Sequence, residues 1–189
     1  DVLPEFNNDP TKDKYTLEDP EFKDMELYPA RKDDQLVGTA VQTFSDNGFG
    51  GRIELMVGFD NTAKIRNIAV LKQTETPGLG NKMTEPKFKN QFNGKDPSVF
   101  NMKVKKDSGE VDAISAATIT SRAFCDAVDR ALDADEAGAD DRPYQARFGH
   151  AIGRLFGRAA VDRLIAFGPD AAHAAKLEWV LCDLGGMSE

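Results

Sequence analysis

The chain has 189 residues, 40 % of them hydrophobic and 30 % charged, enough apolar material for one packed domain plus an appendage and too much for wholesale disorder. Lys and Arg number 24 against 32 Asp and Glu, a net charge of -8, which is the wrong sign for neutralising phosphates along a nucleic acid. No apolar run reaches the roughly 18 residues of a membrane helix; because the chain begins at Asp1 rather than Met, a removed leader or anchor stays open.

Residues 1–34 are acidic and broken by Pro4, Pro10, Pro20 and Pro29, a spacing that allows short turns but no long helix. This stretch, taken as residues 1–35, reads as a segment that wraps the domain following it. Residues 36–44 alternate, with Val37, Thr39, Val41 and Thr43 on one side, as a strand does. Asp46-Asn47-Gly48 suits a tight turn, and residues 52–60 place Ile53, Leu55, Val57 and Phe59 at period two. A β-hairpin is therefore expected. After Asn61-Thr62, residues 64–71 add a third strand to an antiparallel sheet. Residues 86–93 suit a short helix and residues 99–104 a further strand. From Ala123, the apolar residues Phe124, Ala127, Val128, Ala131 and Leu132 repeat at spacings of three and four, the stripe of an amphipathic helix. The expected fold class is α+β, an antiparallel sheet with packed helices.

Composition changes at Ala134. Thirteen lysines precede it and one, Lys176, follows, and twelve of the last 56 residues are alanine. Residues 133–141 read as an acidic linker. Beyond it, Ile152, Leu155, Phe156 and Ala159 suggest one helix, and Leu177, Leu181 and Leu184 a second that stops at Gly185-Gly186. The expected organisation is a wrapping segment to residue 35, a domain over 36–133, and a helical tail over 134–189 that is an independent module or a fusion.

Metal and nucleophile chemistry finds little material. His150 and His173 are the only histidines and neither has a cysteine or carboxylate partner at ligand spacing, so no metal site or His-based triad is expected. Cys125 and Cys182 read as small buried hydrophobes, although one bridge between them remains open. Gly48-Phe49-Gly50-Gly51 and Gly78-Leu79-Gly80 each lack the later glycine of a dinucleotide fingerprint, and no glycine-rich loop ends in Gly-Lys-Ser/Thr.

Two segments stand out. Glu75-Thr76-Pro77-Gly78-Leu79-Gly80 has an irregular backbone imposed by Pro and Gly. Asp112-Ala113-Ile114-Ser115-Ala116-Ala117-Thr118-Ile119-Thr120-Ser121 is small and hydroxyl-rich and opens into the amphipathic helix. Free amide donors and the positive end of the helix dipole favour an anion there. Simple capping by Ser115 or Thr118 accounts for the same residues, and the Pro77 segment taken alone is an ordinary turn with Glu75 as a solvated acid.

Together the two segments resemble the RnfG and NqrC family of FMN-binding subunits, with RnfG the nearer. Asp112 to Thr118 is similar to that family's flavinylation motif, Asp-x-x-Ser/Thr-Gly-Ala-Thr, and Glu75 to Gly80 to its second signature. Gly48-Phe49-Gly50-Gly51, Leu55-Met56-Val57-Gly58 and Ile68-Ala69-Val70-Leu71 also look like RnfG. The resemblance covers roughly residues 36–133. Ala116 stands where the motif usually has Gly, and Gln73 where a His often precedes the Glu-Thr-Pro loop.

The resemblance implies FMN held covalently through a phosphoester to Thr118, placed there by a flavin transferase with FAD as donor. It assigns Asp112, Ser115, Ala116, Ala117, Ile119 and Thr120 to the motif around that ester. Glu75, Thr76, Leu79 and Gly80 fall at the isoalloxazine ring, with Lys82 close enough to bias its charge. It further implies an electron-carrying subunit without catalytic residues of its own, in the membrane-bound Rnf complex that links ferredoxin and NAD. The partners are the other Rnf subunits. The location is the outer, periplasmic face of the cytoplasmic membrane, with this chain as the soluble part of a protein anchored by an N-terminal helix. Two alternatives remain: a binding or interaction module without redox function, and a covalent-FMN domain of a related complex such as the sodium-pumping NADH:quinone reductase.

Overall fold

The structure, a computed structural model, describes residues 2–97 and 99–138. Four strands, β1 (Glu26–Lys32), β2 (Gln35–Gly48), β3 (Gly51–Asp60) and β4 (Ile65–Lys72), form one sheet in the order β1-β2-β3-β4. Every neighbouring pair is antiparallel. The short helix α1 (Pro86–Lys89) and the long helix α2 (Thr118–Gly138) follow, so the α+β class is as expected.

Period-two alternation makes the central strands. Ile53, Leu55, Val57 and Phe59 of β3 are fully buried, and Val41 of β2 pairs with Val57. Helix α2 packs across β2 and β3, burying the stripe Ala123, Phe124, Ala127, Val128, Ala131 and Leu132. Each fully buried large apolar side chain contributes roughly 1.5–3 kcal/mol. Polar bonds also pin the layers: Thr43 Oγ1 donates to the Ala127 carbonyl across 2.9 Å, with both groups buried, and Ser45 Oγ donates to Asp126. Phe124 meets Phe88 edge-on at 5.1 Å between ring centroids and lies 5.3 Å from Phe92, tying the α1 region beneath the long helix.

The stretch before residue 36 also contributes a strand. The sequence gives no sign of β1 because Pro29 lies within it, and proline removes a ladder donor. Here Pro29 lies on the edge strand in the outward-facing register of Leu27 and Arg31, so no bond to β2 is lost. The remaining outward groups are covered by the N-terminal segment. Tyr15 and Leu27 exchange both backbone hydrogen bonds, the Asn7 amide donates to the Arg31 carbonyl, and Asn8 Nδ2 donates to the Pro29 carbonyl. Val2 passes against Gly58, where an added Cβ would strike the Val2 carbonyl.

Three further expectations need correction. The first hairpin turns at Phe49-Gly50, between paired Gly48 and Gly51, and not at Asp46-Asn47-Gly48. Asp46 is held in the strand by a two-pronged bond from Arg52, and Asn47 by Asp126 of α2. Residues 99–104 form no strand beyond a single bridge from Val104 to Val111. The Asn101 and Lys103 amides are taken by side chains, those of Glu110 and Asn101, which replaces a ladder with a folded loop. Residues 133–138 of the expected linker are helical, since α2 crosses the composition break unbroken. Ala134 and Asp135 are buried, and Tyr15 donates to the Gly138 carbonyl at 2.9 Å. The expected tail helices, His150, His173 and Cys182 lie outside the described residues.

Candidate functional site

Beyond β4 the chain turns sharply inward. Gln73 Oε1 accepts the Glu75 amide at 2.7 Å. Gly78, at φ +74°, closes a loop in which the Thr76 carbonyl accepts the Leu79 amide and Asn81 Oδ1 accepts the Gly78 amide. The loop delivers the Glu75 side chain into the protein, where the residue is 5 % exposed. Its Oε1 accepts the Gly50 amide of the β2–β3 turn at 2.9 Å, and its Oε2 accepts the Thr120 hydroxyl of α2 at 2.6 Å. Thr74 Oγ1 adds a 2.6 Å bond to the Gly50 carbonyl. A buried carboxylate needs such partners.

Close approach here depends on glycine. A Cβ at Gly80 would strike Glu75 Oε2 and stand 2.6 Å from Thr120 Oγ1. One at Gly48 would stand 2.8 Å from Glu75 Oε1. Glu75, Gly80 and Thr120 therefore meet in one knot with the hairpin tip, and Glu75 is not a solvated acid.

Around this knot three apolar side chains face outward: Phe49 at 69 % exposure, Leu79 at 40 % and Ile119 at 50 %. Each immediately precedes a residue of the knot, respectively Gly50, Gly80 and Thr120. The hairpin tip, the loop after β4 and the start of α2 that carry them are tied to one another through Glu75.

Helix α2 starts in a closed turn. The Ala117 amide donates to the Ile114 carbonyl, Ser121 Oγ donates to the Ala117 carbonyl, and the Ile114 amide donates back to Ser121 Oγ. Ala116 lies at φ +60°, the left-handed region that favours glycine. Ser115 and Thr118 make no side-chain bond to a helix amide among the described residues, so neither acts as the cap; Ser121 ties the turn instead. Ser115 and Ala116 are exposed, Ala117 is buried, and Thr118 is half-buried. Lys106 Nζ donates to the Thr118 hydroxyl at 3.5 Å.

Other expected residues sit farther out. Thr76 is exposed on the loop, and Lys82 is exposed in the 3-10 turn Gly80–Thr84. Asp112 is exposed and ion-paired with Lys105 at 2.8 Å, its backbone held from both sides by Gln91. Arg122 forks onto Asp107 with two bonds of 2.7 Å. The guanidinium holds the Asp107 carboxyl below the usual carboxylate range. Burial pushes the Cys125 thiol up to about 12, so it stays protonated. Phe49, Gly50 and Lys106 join the site only in the fold, which brings Gly50 and Lys106 beside residues 25 and 12 positions away.

Residues 48–133 match the family model described as the FMN-binding domain. The G-type subunit of the ion-translocating oxidoreductase complex of Stutzerimonas stutzeri is 39 % identical over 139 residues, covering 70 % of this chain and 60 % of that protein. The protein of the same name from Erwinia tasmaniensis is 38 % identical over 138 residues, covering 68 % and 66 %. The chain thus spans less than two thirds of the length of these relatives. Among solved structures, the C-type subunit of the Na(+)-translocating NADH-quinone reductase of Parabacteroides distasonis aligns with a TM-score of 0.46 at 23 % identity, covering 67 % of this chain and 61 % of that one.

Proposed function

Because residues 48–133 belong to the FMN-binding domain family, we propose that the chain is an electron-transfer subunit of an ion-translocating oxidoreductase complex of the Rnf type, with FMN esterified to Thr118. The Rnf assignment rests on the relatives from Stutzerimonas stutzeri and Erwinia tasmaniensis, both named as members of such a complex. The observation that carries the ester is the Thr118 hydroxyl itself. It is half-buried at the first position of a 21-residue helix, uses none of the helix amides, and has an ammonium 3.5 Å away. The residues present fit the group. The helix start and Lys106 oppose a phosphate's charge, and the exposed apolar side chains of Phe49, Leu79 and Ile119 would suit an apolar ring.

Loading is a transfer without redox change. A bond forms between Thr118 Oγ1 and the phosphorus of the riboflavin phosphate, the P–O–P bond of FAD breaks, AMP leaves with the electron pair, and the hydroxyl proton passes to solvent. When bound, the flavin supplies the electron chemistry. The chain's own residues would fix its place: Glu75 joins the hairpin tip, its own loop and α2 in one geometry beside Thr118. A covalent tether suits a carrier working outside the cell's flavin pool, on the outer membrane face beside the other subunits of its complex.

Coexpression with a flavin transferase tests this reading. The chain is expected to gain the mass of one FMN less one water and to stay fluorescent after denaturation, and Thr118→Ala to do neither. An adduct that survives Thr118→Ala would overturn it.

A further inference from the structure

Resting on the assignment of Thr118 above, we infer that Lys106 is the counter-ion of the phosphodiester at Thr118, and that the Asp107–Arg122 ion pair positions it there. Three cations gather near the start of α2. Lys105 is paired with Asp112 at 2.8 Å, and Arg122 is engaged at both prongs by Asp107 at 2.7 Å. Lys106, between Lys105 and Asp107 in the 3-10 turn Lys105–Asp107, donates instead toward Thr118 Oγ1.

The pairing on either side has a geometric effect. Arg122 is four residues after Thr118 and so rises from the same face of α2. Its fork onto Asp107 clamps the turn against that face. The turn is entered from Val104, which is bridged to Val111, and left through Ser108 in the left-handed region at φ +61°. Lys106 therefore points its stem at the helix start because its neighbours are tied down.

A 3.5 Å contact is at the outer limit of a hydrogen bond. For a neutral hydroxyl it is a weak use of an ammonium. Esterification puts a full negative charge on the diester, and a charged donor already within reach then makes a charge-assisted bond. Lysine suits the place, since a compact charge on a flexible stem can follow the oxygen as it becomes an ester. Asp107 and Arg122 touch neither the hydroxyl nor the phosphate and act only by placing the turn.

The test uses the full chain, loaded in vitro by a flavin transferase with FAD, as wild type, Lys106→Met and Lys106→Arg. Initial loading rates are read by intact mass. The ester phosphorus is read by NMR after loading to completion, and melting curves check the fold. Lys106→Met is expected to load about tenfold more slowly, the scale of one charge-assisted bond, with its phosphorus resonance displaced and its melting unchanged. Lys106→Arg is expected to restore most of the rate. An undisplaced resonance in Lys106→Met overturns the inference whatever the rate does, because a rate loss alone would assign Lys106 to recognition by the transferase. A wild-type chain that takes up no flavin removes the reading of Thr118, and this inference falls with it.

Discussion

Glu75 and Thr120, 45 residues apart in the chain, share a 2.6 Å hydrogen bond in the protein interior. The carboxylate's other oxygen reaches the Gly50 amide, so one side chain joins the β2–β3 hairpin, the loop after β4 and the long helix. The two segments that stand out in the sequence meet through this bond. It turns three separate pieces of chain into a single platform beside Thr118.

Thr120→Val tests the platform. The substitution keeps the shape and removes the donor, leaving Glu75 Oε2 buried without its partner, which costs roughly 1–3 kcal/mol. Chemical denaturation is expected to show that loss. An unchanged midpoint would mean that the carboxylate finds another donor and that the bond does not hold the site together.

Ala116 is expected to be a strained position. A non-glycine residue at φ +60° carries a cost of roughly 1–2 kcal/mol from its Cβ. Ala116→Gly should recover about 1 kcal/mol, offset in part by the greater freedom of glycine in the unfolded chain. Its melting temperature should rise by about 2–4 °C for a domain of this size. A fall would show that the methyl makes contacts outweighing its backbone strain.

Tyr28 donates to Glu26, and burial, with the carboxylate's help, raises its phenol from 10.0 to about 12. The sign follows from linkage: with the folded value above the unfolded one, the contribution is fully present below pH 10 and is lost as pH rises from 10 toward 12. Ultraviolet titration should show one of the three tyrosines ionising last, and Tyr28→Phe should remove that late step. If the late step persists in Tyr28→Phe, the assignment is wrong.

Much of the sheet is legible in the residues. β3 is read from Ile53, Leu55, Val57 and Phe59 because a half-buried strand and its alternation are one physical fact, and α2 from its apolar stripe for the same reason. β1 is hidden because Pro29 argues against a strand unless it is known to lie on an edge. Residues 99–104 look like a strand because Val99, Phe100, Met102 and Val104 are apolar, while the bonds that Asn101 makes across the loop leave no mark in hydropathy. At the site, Thr118 and Gly80 come from motif resemblance. The burial of Glu75 is not legible, since a carboxylate in a Pro-Gly loop defaults to solvent until the Gly50 amide and Thr120 hydroxyl are seen to reach it. Lys106 is hidden for a related reason: its place depends on Arg122 holding Asp107, a contact across 15 residues.

Tandem mass spectrometry of the tryptic peptide ending at Arg122, taken from chain matured with a flavin transferase, measures the modified residue directly. The expected result is a fragment series in which the FMN increment appears on Thr118 and on none of Ser108, Ser115, Thr120 or Ser121. An unmodified peptide from fully matured protein, or an increment on one of the other four hydroxyls, would contradict it.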